Sequence, residues 1–181
     1  MPTHKLTLYP KNPEFIIEQK DTLITSLKEI GFIEKHWQTP SQFLVGDKFL
    51  SLITFLGCSP YIEITPNDNH NFCYVEFAPR HDTVQFLHAP YTKAPRCRHC
   101  KYQEKQWQTI IEQWQQSKTD FVWTCPQCYK ESQLHELNWR HCAGFAKEAI
   151  YIWNIFEGEA VPNDLLLETL ENVTHVKWDY F

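Results

Sequence analysis

The chain has 181 residues, of which 43% are hydrophobic and 22% charged, so it holds enough apolar material for a packed core in one domain, or one domain with a small module attached. Its net charge of −5 argues against a general nucleic-acid binder. No segment approaches the ~20 apolar residues of a membrane-spanning helix. The start, Met1-Pro2-Thr3-His4-Lys5, also lacks the apolar core of a signal peptide, so the sequence reads as cytoplasmic.

Leu6-Thr7-Leu8-Tyr9 alternates as a first strand. Asn12-Pro13 supplies a helix cap and a first helical residue, predicting a short helical turn through Phe15-Ile16-Ile17 that ends near Lys20. Asp21 is placed to cap a second helix over 22–30, with Leu23, Ile24, Leu27 and Ile30 on one face and Gly31 as its stop. The stretch 43–55 is apolar but ambiguous between helix and strand. Tyr61-Ile62-Glu63-Ile64, Phe72 to Phe77 and Thr83 to Leu87 read as strands of an antiparallel meander.

Beyond the meander lies a cysteine-bearing module. Trp139 to Phe156 then shows a helical period, with Cys142, Phe145, Ala146, Ala149, Ile150, Trp153 and Phe156 on one stripe. Pro162-Asn163-Asp164 starts a last helix through Leu165, Leu166, Leu170 and Val173, and 176–181 reads as a final strand. Leu27 to Ile33 and Leu170 to Val176 echo each other, each a helix end turning into an apolar strand. The expected fold is α+β: an antiparallel sheet, three or four helices and an inserted four-cysteine zinc ribbon. Residues 1–92 form the N-terminal part, 93–130 the ribbon, and 131–181 the completing helices and strand.

The chemistry is concentrated in Cys97-Arg98-His99-Cys100 and Cys125-Pro126-Gln127-Cys128. Each two-residue spacer lets both sulfurs of a knuckle face one ion, and two knuckles supply the four soft ligands of tetrahedral Zn²⁺. Between them, Trp107, Ile110, Ile111 and Trp114 are spaced as one face of a helix, which accounts for the long separation. Seven cysteines cannot all pair within one chain, and a reducing compartment favours metal over disulfide. A thioredoxin-like redox pair accounts for one knuckle and not for two. Iron in a rubredoxin-like site is the other metal to weigh. Lys101 and Tyr129, where such knuckles carry Gly, disfavour it. A closed four-thiolate site has no open position, so one zinc ion would fold the module without doing chemistry.

The segment from Cys97 to Cys128 resembles the zinc-ribbon class. More broadly, Leu56-Gly57-Cys58-Ser59-Pro60, Trp139 to Phe145 (Trp-Arg-His-Cys-Ala-Gly-Phe) and Phe156 to Pro162 (Phe-Glu-Gly-Glu-Ala-Val-Pro) resemble an uncharacterised family of small bacterial zinc-ribbon proteins. That resemblance implies no activity.

Residues 93–130 hold seven basic and three acidic side chains, a net +4, against ten basic and nineteen acidic elsewhere. This asymmetry marks an interaction surface. The expected role is a non-enzymatic binding or adaptor protein with a protein partner at Arg96, Arg98, Lys101, Tyr102 and Lys105. Nucleic acid is the alternative, because these cations interleave with Tyr102, Trp107, Trp123 and Tyr129 and aromatics stack on bases. A third reading is an enzyme with a pocket near Cys58, His141 and Cys142, with His99 and His135 as further members of such a cluster. Against it, Cys142 sits on an apolar stripe and Cys58 has no neighbouring base in sequence. Cys73 reads as core, and Glu157 with Glu159 as exposed loop acids.

Overall fold

The computed structural model describes residues 4–56, 62–67, 71–117, 121–155, 158 and 160–181. The first half contains β1 (Lys5–Pro10), α1 (Lys20–Glu29), β2 (Ile33–His36), β3 (Gln42–Val45), the single turn α2 (Phe49–Leu52), β4 (Ile53–Phe55), β5 (Tyr74–Phe77) and β6 (Gln85–His88). The second contains α3 (Trp107–Gln116), β7 (Trp123–Thr124), β8 (Glu131–Ser132), β9 (Ala143–Ala146), β10 (Ile150–Trp153), β11 (Ala160–Pro162), α4 (Asp164–Thr174) and β12 (Trp178–Tyr180). The fold is the expected α+β, with four helices among the described residues.

Period-two alternation builds the main sheet, which is antiparallel throughout with strand order β12-β1-β10-β5-β3-β2. Leu6 and Leu8, Ile150 and Ile152, Val75 and Phe77, and Phe43 and Val45 turn to one face. There they are buried with Leu23 and Leu27 of α1 and Leu166 and Leu170 of α4, and the two helices pack on each other across the sheet. Each helix hands over to a strand through a left-handed residue, Gly31 at φ +74° after α1 and His175 at φ +58° after α4. The strands that follow, β2 and β12, are the two edges of the sheet. The sequence echo therefore marks two helix–strand units at opposite borders of one layer.

A second buried cluster takes in Val84, Ile111, Trp114, Trp123, Leu134, Leu137, Trp139 and Phe145, together with Cys97 and Cys125. It is framed by β6 paired with β9 and by the short β7–β8 ladder. The two bodies meet where β9 lies over β1. Gly144 permits that approach, since a Cβ there would collide with the ring of Tyr9.

Several expected elements differ. Residues 139–155 do not form a helix: they hold a turn followed by β9 and β10, and Phe156 lies outside the described residues. Ile150-Tyr151-Ile152-Trp153 has both periods at once, and its β-branched and aromatic residues suit a strand between two neighbours. All four residues of β9 are buried, so burial there carries no period. No meander forms among the described residues either. β5 pairs with β3 and β10, β6 pairs with β9, and Ile62–Ile64 lie outside any strand. Asn12 makes a turn instead of a helix: its Oδ1 accepts the Glu14 N–H at 3.1 Å. α1 begins one residue before Asp21, which lies in its first turn, and no side chain caps it. The last helix starts as expected, with Asn163 Oδ1 accepting the Leu166 N–H at 3.0 Å.

Candidate metal centre

The two knuckles are built alike. The Cys97 N–H donates to Tyr102 O at 2.8 Å and the Lys101 N–H to Cys97 O at 3.0 Å. In the second, Cys125 N–H donates to Lys130 O at 3.0 Å and Tyr129 N–H to Cys125 O at 2.9 Å. Each loop closes on itself only if the residue after its second cysteine turns left-handed. Lys101 does so at φ +64° and Tyr129 at φ +57°, although neither is Gly. That conformation costs an L-residue about 1 kcal/mol, and the loop hydrogen bonds offset it.

Facing knuckles bring four sulfurs within 4.8 Å of one another. Cys97 Sγ lies 3.8 Å from Cys128 Sγ, and Cys100 Sγ lies 3.5 Å from Cys125 Sγ. A tetrahedron with metal–sulfur bonds of about 2.3 Å has edges of about 3.8 Å, so the four sulfurs could hold one metal ion with little movement. Burial raises the Cys97 thiol, but the N–H groups of Cys100 and His99 and the neighbouring sulfurs outweigh it and bring the pKa down to about 7. Cys100 goes the other way. The Tyr102 N–H favours its thiolate, yet burial and the other three sulfurs push it up to about 12. A cation among the sulfurs would relieve the effect that raises Cys100.

α3 holds the knuckles in place with Ile111 and Trp114 buried, as its spacing predicts. Trp107 packs edge-on to Trp139 at 5.9 Å. Glu104 is buried and links the two halves of the site, accepting the Gln106 N–H at 2.9 Å and the Trp123 Nε1–H at 3.2 Å. Nothing in the pattern of the sequence singled Glu104 out, because a lone acid before a helix is common.

The cations proposed for a partner surround this centre. Arg96, Lys101 and Lys105 are exposed. Arg98 reaches Glu136 at 2.6 Å, and Glu136 is held below the usual carboxylate range by the Gln133 N–H and by Arg98. Tyr102 is half-buried against the second core, as is Trp107, and Trp123 lies within it. Tyr129 is the exposed aromatic of the group, at 79% of its surface.

Of the second cluster, His135 and His141 line one cavity. Cys142 is buried, with its sulfur donating to Trp139 O at 2.7 Å and accepting the Lys93 N–H at 3.3 Å. Its neighbour His141 is exposed, stacks on Tyr180 at 4.9 Å and sets Nδ1 3.4 Å from Asp179 Oδ1. Cys58, Glu157 and Glu159 lie outside the described residues. Cys73 is buried, and burial and Glu63 push its thiol up to about 12. No family model matches the chain, and neither the curated proteins nor the solved structures contain a match. No helix among the described residues is long and apolar enough to cross a membrane.

Proposed function

We propose that the chain is a cytoplasmic, non-enzymatic binding or adaptor protein whose 93–130 ribbon is folded by one zinc ion. Four thiolates are soft ligands, and a closed set of four suits Zn²⁺ in a structural role. The observation that carries the adaptor reading is the pair of knuckle tips. Lys101 and Tyr129 occupy matching positions, both exposed and both held left-handed by the loop that surrounds the sulfurs. Metal binding would fix these side chains, together with Arg96 and Lys105, as a rigid cationic and aromatic surface for a protein. Nucleic acid is the second reading, favoured by the exposure of Tyr129 beside Lys130. The burial of Trp123 and the packing of Tyr102 and Trp107 weigh against it.

The left-handed tips permit a clean test. Gly tolerates that conformation better than Lys or Tyr, so the double variant Lys101→Gly with Tyr129→Gly removes the proposed contacts without straining the metal loops. Tagged protein purified from its own cells, with and without nuclease, should bring down a protein that survives nuclease. The double variant should lose that protein and keep its zinc. Recovery that nuclease abolishes would put nucleic acid first. Recovery identical in wild type and variant would remove the ribbon tips from either account.

A further inference from the structure

A cleft runs between the turn that follows β1 and residues 133–145. Two cavities, of about 290 and 550 Å³, share His135 and Phe145 in their walls. At one end, Lys11, Arg140 and His141 stand around a single acid, Asp179. Lys11 Nζ and His141 Nδ1 each lie 3.4 Å from that carboxylate. Arg140 donates through Nη2 to Ala94 O at 2.7 Å, whereas its Nε is buried and has no acceptor among the described residues. A buried donor left unpaired in a cleft wall is a missing-acceptor signal. At the other end Val84, Trp114, Leu134 and Phe145 form an apolar wall, with Glu14, Asp82 and Lys147 among the polar groups beside it.

The backbone also points to this cleft. Residues 139–142 turn back on themselves, closed by the Cys142 N–H on Trp139 O at 3.2 Å, with Arg140 at φ +54° and His141 at φ +51°. Two consecutive left-handed residues are what Asn-Gly provides in such turns. Here the chain sets an arginine and a histidine in the strained positions, side by side at the cleft mouth. Strain of this kind persists where the surroundings hold it and gathers at ligand clamps.

We infer that this cleft binds a small organic anion, its charged group at Lys11, Arg140 and His141 and its apolar part on Trp114 and Phe145. Arg140 Nε gains its acceptor. Tyr9 also lines the end at Arg140, with its hydroxyl donating to Ala143 O at 3.4 Å. The volume lies in the range of small-molecule sites, which occur preferentially between packed bodies. This inference is independent of the partner reading above.

The probe is phenyl phosphate, which joins a dianion to a ring, titrated into the full metal-loaded chain by calorimetry and tryptophan fluorescence. Saturable one-site binding is expected, with inorganic phosphate weaker by about tenfold for lack of the apolar contact. Phenyltrimethylammonium should not compete. Arg140→Gln and Lys11→Gln should each weaken binding by about tenfold with metal content and circular dichroism unchanged. Should Arg140→Gln fail to fold, Lys11→Gln decides, because Lys11 lies on the exposed rim. Absence of saturable binding, equal affinity for the cation, or binding indifferent to the decisive substitutions overturns the inference.

Discussion

At the scale of single residues, the cysteines and the residues behind them bear the most. Cys97→Ser or Cys128→Ser removes one of four ligands and leaves three sulfurs with a weak fourth partner. Elemental analysis should find one zinc per wild-type chain and substantially less in either variant, and the variants should melt earlier. A folded wild type without metal would refute the zinc assignment. Protons would compete with a bound ion for the same sulfurs, and the Cys97 thiol is brought down to about 7. Metal should therefore be held at about pH 8 and released progressively towards about pH 5. A chromophoric chelator reads that release directly, and loss on the alkaline side alone would contradict it. The clustering of the four cysteines was legible in the sequence, because paired two-residue spacers are what a single ion would require. Glu104, Lys11 and Asp179 were not, because their roles depend on neighbours far away in the chain.

Elements were legible where one face alone is buried. α3 and α4 followed their spacing, and Asn163 capped where its position said it would. The stretch from 139 to 156 misled, since β9 is buried on every side and β10 lies between β1 and β5. Periodicity reports a boundary between core and water, which the fully buried β9 lacks. The pairing of β6 with β9 and of β5 with β3 and β10 is likewise invisible to a reading that looks for hairpins. Gly144 is the testable residue of this layer. Gly144→Ala drives a methyl group into the ring of Tyr9 and should cost about 1–3 kcal/mol, seen as a lower denaturant midpoint. Adding Tyr9→Leu, which removes the ring, should recover part of that loss. An unchanged midpoint in the single variant would mean that β9 does not lie on β1 as described.

Taken whole, the molecule has two buried clusters joined at that contact. The second begins at Val84 and ends at Phe145, so it extends beyond the ribbon on both sides and includes two of the sulfur-bearing residues. Chelation should therefore loosen one body before the other. Hydrogen exchange after metal removal is expected to quicken first at Ile111, Trp123 and Leu134, while Leu6, Leu8, Ile150 and Ile152 stay protected. Simultaneous loss in both sets would make the chain a single cooperative unit.

The strand order carries one more consequence, for a chain emerging from the ribosome. β1 is made well before both its neighbours, β10 and β12. It must wait, apolar and unpaired, until residues 150–180 are free. The cysteine body is complete by residue 146 and needs nothing beyond it for its own core. On that order of synthesis the cysteine body can form before β1 meets its partners.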